Sequence, residues 1–540
     1  MLNDTQDPGK IRRFFLNLYR LSRRHKETSA SLLEGQDLQI EIEHPLLSFC
    51  KIRRRCKPNS KIWHASPVAL PAHFDILLAD YSLALSPTNV ATVNNSVPAR
   101  SRIDAILHLL LAHAKKRLLD SSAEDTNTTS KLDTLYWDYE QFVSPSRTLG
   151  AQRREKIPIC ALDYALWYGD ARDFETNFVV VRARKMIVDG GGRQFLPILT
   201  AMSLIQYNRV KRKVNKEVYG IFTDGVTWVF FHLDKWKRLS YLRLSWTDGQ
   251  QQTVINLISK ILDDAVRLSL LSNKPKLSWV DSESGLSPWN VRQWDYAKGE
   301  EDEGQGFTPG DMFNLEYETY GDGFWREDDY WRVDASEECK MPDHLKSVLE
   351  DYKLAFGETE QTEPLLRVKV ETVLFVLLAF IKKRDYSTDS VGPSDSLHWQ
   401  LDVPFTYMPV LDKRVSKTIT PSGDIGHVLF YGSPEKVETN LIVVITKCPN
   451  VGWGKYQAKA HIALLQRARE RAGRPDTPIY GFVTDTIDYV FIRIDPQGKM
   501  STHTILLRPD FPDKVISLLW KIMQLAPDAS RCSASPNGSS

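Results

Sequence analysis

At 540 residues, with 42% hydrophobic and 26% charged side chains, the chain has the composition of an ordinary globular protein and is too long for one core, so two to four domains are expected. The net charge of +2 conceals an uneven distribution, since residues 1–62 hold thirteen Lys/Arg against seven Asp/Glu and residues 281–363 hold seven against twenty-three. Six scattered cysteines exclude a disulfide framework or a CxxC zinc pattern, and the longest apolar run, around residues 373–381, is far short of the roughly 20 residues a membrane span needs. No secretory signal opens the chain, so the expected setting is nuclear or cytoplasmic, with no membrane partner.

In chain order, residues 11–26 predict an amphipathic helix with Phe14, Phe15, Leu18 and Leu21 on one face and arginines on the other. A basic cluster, Lys51 to Lys57, follows. Residues 102–117 (RIDAILHLLLAHAKKR) predict a strong helix, and residues 367–383 repeat it. Two short strands are expected near 138–143 and 161–168, then a strand buried on both faces over 177–184. A Gly190-Gly191-Gly192 turn leads to a helix from Gln194 to about Arg209. Residues 218–231 read as a hairpin turning at Asp224-Gly225, and a last strand near 242–244 precedes a closing helix from Val254.

This order occurs twice. Residues 163–202 and 426–465 align without a gap, with eleven of forty positions identical, among them the triplets Glu175-Thr176-Asn177 and Glu438-Thr439-Asn440 and the pair Gln194/Gln457. The repeat covers about 100–270 and 365–527, so each copy is an α/β unit with a mixed central sheet flanked by helices. The expected organisation is a basic arm (1–62), a first unit (63–272), an acidic, Trp- and Tyr-rich connector (273–363), a second unit (364–527) and a disordered tail (528–540).

The order of elements and the residues at their ends resemble the PD-(D/E)XK nuclease superfamily, in particular the fungal proteins that carry a nuclease-like domain of this type. The resemblance implies two tandem restriction-endonuclease-like units. It also implies an acid on the first helix, an Asp on the second core strand and an (E/D)-x-K on the third, converging on Mg²⁺, with a helix glutamine assisting. Hard carboxylate oxygens hold the ion, the ion activates a water, and the lysine steadies the developing charge. In the first copy Asp104 and Asp163 match the two acids and metal ligands, Gln194 matches the glutamine, and the third-strand motif falls on Arg182-Ala183-Arg184. In the second copy Glu371, Lys447 and Gln457 match, whereas Gly426 and Ile445 stand where acids belong, and Asp424 lies two residues before the glycine.

Neither copy keeps the full set, so the motif positions Asp104, Asp163, Arg184, Gln194, Glu371, Lys447 and Gln457 read as vestigial. Arg182, Lys185, Arg193, Arg209, Lys211, Arg212 and Lys213 form a basic cluster able to line a phosphate-binding groove. Three readings follow: a catalytically degenerate pseudo-nuclease that binds DNA, RNA or a protein partner, with no cofactor; an active Mg²⁺-dependent nuclease with a composite site, from Asp104, Asp163 and Glu175 or from Glu371, Asp424 and Lys447; and an interaction scaffold without a nucleic-acid role. No P-loop, GxGxxG, GxSxG or HExxH motif offers another chemistry.

Overall fold

The computed structural model describes residues 53–54, 61–85, 97–121, 131–143, 160–168, 177–184, 194–212, 217–271, 316–317, 329–357, 362–386, 397–406, 410–412, 417–419, 422–431, 440–446, 451–473, 478–506 and 513–525. The helix expected over 11–26, the acids Glu175 and Glu438, the Gly190–Gly192 turn, the tail and most of the acidic connector lie outside them.

The first half of the chain runs β1 (Arg53–Arg54), α1 (Ala72–Ala84), α2 (Val97–Ser121), β2 (Leu135–Val143), β3 (Cys160–Tyr168), β4 (Asn177–Ala183), α3 (Leu196–Arg212), β5 (Val218–Thr223), β6 (Thr227–Leu233), β7 (Arg238–Ser245) and α4 (Gln251–Leu271). The second half runs β8 (Glu316–Tyr317), α5 (Asp343–Phe356), α6 (Glu363–Tyr386), β9 (Leu397–Thr406), β10 (Val410–Asp412), β11 (Lys417–Ile419), β12 (Ser422–Tyr431), β13 (Asn440–Thr446), α7 (Val451–Arg471), β14 (Ile479–Thr484), β15 (Asp488–Ile494), β16 (Lys499–Leu506) and α8 (Asp513–Gln524).

Each half builds one mixed sheet of six strands plus a two-residue edge strand, in the orders β1-β7-β6-β5-β4-β3-β2 and β8-β16-β15-β14-β13-β12-β9. At the centre of each, β4 runs parallel to β5 and β13 to β14, and α3 or α7 makes the crossover. The two-residue edge strands are also parallel to their neighbours, and the remaining neighbours are antiparallel. β10 and β11 form a separate small hairpin.

The Gly-x-x-Thr-Asp sequence common to both copies has a structural cause. A Cβ on Gly220 would lie 2.6 Å from both Ile198 Cγ2 and Met202 Sδ, and one on Gly481 would lie 2.5 Å from Ile462 Cδ1 and 3.0 Å from the Val443 carbonyl oxygen. Only glycine lets the crossover helix sit that close to the strand. Four residues later the hairpin is closed by side chains: Asp224 Oδ1 accepts from the amides of Val226 and Thr227, and Asp485 Oδ1 from those of Ile487 and Asp488. Thr223 and Thr484 each accept from the amide two residues on.

The repeat extends further towards the N-terminus than the sequence reading put it. Residues 71–85 and 342–356 match at seven of fifteen positions, including His73/His344, Asp80/Asp351 and Tyr81/Tyr352. Residues 342–356, assigned to the connector, therefore belong to the folded units, and so do residues of the arm. β1 and β8 each add an edge strand. Lys260 on α4 donates to the carbonyls of Ile62 and His64, and Lys521 on α8 donates to that of Arg332.

The compact units exchange a helix segment between the chain's halves. One comprises residues 1–70, 106–278 and 351–359, and the other residues 71–105, 279–350 and 360–540. In the first unit, Lys115 of α2 donates to the carbonyls of Leu354 (3.0 Å) and Ala355 (3.2 Å), and the His108 ring meets Phe356 edge-on at 4.7 Å. In the second, Lys382 of α6 donates to the Leu83 carbonyl, Tyr81 hydrogen-bonds Thr372 at 2.7 Å, and the Tyr81 ring meets Phe375 edge-on at 5.1 Å. Buried Asp80 accepts from Lys383 and hydrogen-bonds His344, which fixes α1 to its neighbours.

Two consequences are testable. Tyr81→Ala should cost roughly 3 kcal/mol and, although Tyr81 belongs to the N-terminal half, lower amide protection first in residues 363–386, as read by hydrogen exchange. Gly481→Ala should lower stability by about 2 kcal/mol in urea denaturation, because the carbonyl it approaches is backbone and cannot swing away.

Candidate functional site

In the first unit β3 pairs with β4 so that Tyr164 faces Val181 and Ala165 faces Val180. That register brings the start of β3 beside the end of β4. Asp163, buried, accepts a hydrogen bond from the Ala183 amide at 2.9 Å, and the Arg184 guanidinium lies 3.1 Å from its other oxygen. The Arg184 amide in turn donates to the Thr223 carbonyl at 2.9 Å. Two residues matched to the family motif thus meet, and one is a cation. Asp104 is also buried, on the stretch of α2 that belongs to the second unit.

In the second unit the corresponding register sets His427 opposite Val444 and Val428 opposite Val443, so Gly426 occupies the place of Asp163 and Ile445 that of Arg182. Glycine is not demanded there, because a Cβ would lie an ordinary 3.5 Å from the Val444 oxygen. Ile445 is part of the hydrophobic core. The helix acid Glu371 is fully enclosed, accepts from Arg367 Nε one helical turn earlier, and meets His427 Nε2 at 3.1 Å. Burial by itself would raise the Glu371 pKa. The Arg367 charge and the His427 hydrogen bond, with help from Ser101, outweigh it and hold the carboxyl down at about 2. His427, the residue after the motif glycine, was not singled out by sequence reasoning, and a histidine beside a glycine gives no signal of its own.

Mg²⁺, which the family resemblance implies, does not fit these residues. A guanidinium already occupies the anionic side of Asp163, and the Arg367 guanidinium together with a hydrogen bond to His427 occupies Glu371, so an approaching dication would meet the fixed positive charge of an arginine at either acid. Among the described residues no three His, Cys, Asp or Glu side chains gather into a cation cage. Lys447 lies outside the described residues, and for Asp424 only the backbone is described, paired with Pro404.

The motif glutamines are not equivalent. Gln206 Nε2 donates to the Asp234 carbonyl and Gln466 Nε2 to that of Asp495. Arg209 donates to the Glu217 carbonyl and Arg469 to that of Pro478. These contacts align α3 and α7 with Gln206 on Gln466 and Arg209 on Arg469, which puts Pro197 opposite Gln457 and Gly454 opposite Gln194. The gapless alignment therefore slips by three residues, almost one helical turn, between the strand and the helix.

The basic cluster also divides. Arg209 has 0% exposure and spends its guanidinium on the Asn177 and Glu217 carbonyls, with the Tyr168 and Phe178 rings 5.8 and 5.9 Å away. It cannot contact a phosphate, which corrects its assignment as a nucleic-acid ligand. Arg182 is half-buried on β4 and Arg184 is engaged by Asp163. Lys211 and Arg212 end α3, and Lys185, Arg193 and Lys213 lie outside the described residues.

Because the folded pKa of Glu371 lies below its ordinary 4.5, the unfolded chain takes up this proton first as the pH falls. The stability it contributes is complete above pH 4.5 and is lost as the pH drops towards 2. Glu371→Gln should therefore flatten the acid limb of stability against pH in that window, and should cost roughly 3 kcal/mol at neutral pH by leaving Arg367 without its buried partner. Among the described residues no helix is long and apolar enough to cross a membrane. Comparison of the chain with protein-family models, with curated proteins and with solved structures yields no match to any of them.

Proposed function

We propose that the chain is a catalytically degenerate, tandem nuclease-like protein that works by binding nucleic acid and does not cut it. The observation that carries this reading is the internal neutralisation of the motif acids. Asp163 is paired with Arg184, and Glu371 with Arg367 and His427. A cleaving site of this kind needs carboxylates with open coordination positions for the ion and its water. Here the same carboxylates tie a strand end and a helix to their neighbours.

Binding is the use that survives such a change, because phosphate recognition depends on cations and backbone geometry and needs no metal-held water. The family resemblance supplies the ligand class, and the basic residues at the ends of α3 and α7 support it.

Plasmid and single-strand substrates incubated with Mg²⁺ or Mn²⁺ should remain uncut, while affinity for the same substrates should fall steeply with salt. Metal-dependent cleavage that disappears in Asp163→Ala or Lys447→Ala would overturn the degenerate reading.

A further inference from the structure

The two copies share the contacts of their crossover helices and hairpins, and one turn presents different side chains in each. The β6–β7 turn of the first unit reads Asp234-Lys235-Trp236-Lys237-Arg238, and its counterpart between β15 and β16 reads Asp495-Pro496-Gln497-Gly498-Lys499. The acid shapes the backbone of the turn in the same way in both, and Asp234 also holds Arg238 Nε in an ion pair at 2.6 Å. Asp234 Oδ1 accepts from the amides of Trp236 (2.9 Å) and Arg238 (2.8 Å), and Asp495 Oδ1 from those of Gln497 (3.0 Å) and Lys499 (2.7 Å). The turn is therefore preformed, and what it presents can be compared position by position.

In the first unit it presents an indole 60% exposed, with Lys235 Nζ and Arg238 Cζ each 4.3 Å from the ring centroid. Lys237 adopts φ +62° where the other copy has Gly498 at φ +82°. A left-handed backbone disfavours any residue with a Cβ, and a Cβ on Gly498 would meet nothing within 4 Å, so space does not dictate the choice. The first unit keeps a lysine where glycine would relieve strain.

The location matters as much as the composition. β5 begins where β6 ends, Val218 facing Leu233, so this turn lies at the edge of the sheet where α3 finishes. Asp163 and Arg184 lie at the opposite edge, beside the end of β5. The last turn of α3, with Lys211 and Arg212, ends at the Trp236 edge, and Gln206 ties that helix to the Asp234 carbonyl.

We infer that the Lys235-Trp236-Lys237-Arg238 turn is a contact site for single-stranded nucleic acid, with Trp236 stacking on a base and Lys235 and Lys237 meeting the phosphates, while Arg238, held by Asp234, steadies the indole. It rests on the reading that the chain binds nucleic acid without cutting it, and it moves the contact away from the vestigial motif. An aromatic face among cations is the combination that binds single strands of any sequence, since every base offers a π-face. A lipid surface fits less well: Trp236 is the one exposed large apolar side chain on this hairpin among the described residues, and one indole buries little area in a bilayer interface.

The test is fluorescence anisotropy of the full chain with labelled oligothymidine and oligouridine of about 20 nucleotides, alongside phosphatidylserine/phosphatidylcholine vesicles. Trp236→Ala should weaken oligonucleotide binding roughly tenfold or more with the melting temperature unchanged. Lys237→Gly should leave the protein equally or more stable yet lower the slope of log affinity against log salt by about 0.7. Wild-type binding that neither variant alters overturns this site and leaves nucleic-acid binding standing. Absence of oligonucleotide binding by the wild type overturns both, and Trp236-dependent binding to vesicles alone overturns the site in favour of lipid.

Discussion

A buried guanidinium at the end of the crossover helix ties together the elements around it. Arg209 donates to the carbonyl of Asn177, where β4 begins, and to that of Glu217, just before β5 begins. Those are the leading ends of the two parallel strands at the centre of the sheet. A charge removed from water this completely persists only if its donors are matched, and here backbone oxygens match them. Arg469 repeats the arrangement at Pro478, and Gln206 and Gln466 add a second tie one turn earlier, to the turn after the next strand. Strand order, helix azimuth and hairpin position are thus coupled through two side chains per copy.

That coupling explains which parts of the repeat stayed similar. Further along β5 and β14, the glycines under the helix and the Thr-Asp turn at the far end of the strand are each constrained by an atom they would otherwise strike or leave unpaired. The exchanged helices follow a similar rule. Lys115 and Lys382 are both buried, and each satisfies its ammonium on carbonyls at the end of a helix drawn from the other half of the chain. Two copies joined in this way cannot drift apart at those positions without leaving an ammonium unpaired.

Much of the fold was legible in the sequence, because apolar periodicity and the Asp-Gly turn act locally. The strands over 177–183 and 218–223, the hairpin and the closing helices stand where the pattern placed them. Three features were not legible. The 71–85 and 342–356 match joins a segment assigned to the first unit with one assigned to the connector, and the acidic composition of the connector hid the helix within it. The equivalence of Gln206 with Gln466 requires knowing which carbonyl each reaches, and the identical Gln194 and Gln457 suggested a different alignment. Arg209 looked like a phosphate ligand because a basic run at a helix end is usually solvated, and only its burial shows that this arginine is not.

The fate of the motif acids follows from the same electrostatics. A carboxylate taken out of water stays charged only where a cation or hydrogen-bond donors compensate it. In the first copy the cation is Arg184, in the place of the motif lysine, where its guanidinium reaches Asp163 across the strand pair. In the second the helix supplies the cation, Arg367, and His427 on the strand adds a 3.1 Å hydrogen bond. The partners of the two acids differ although the scaffold is shared. Selection on such a molecule then acts on what its edges present. An exposed tryptophan among cations in one copy, where the other has a proline and a glycine, is a difference that the interior does not require.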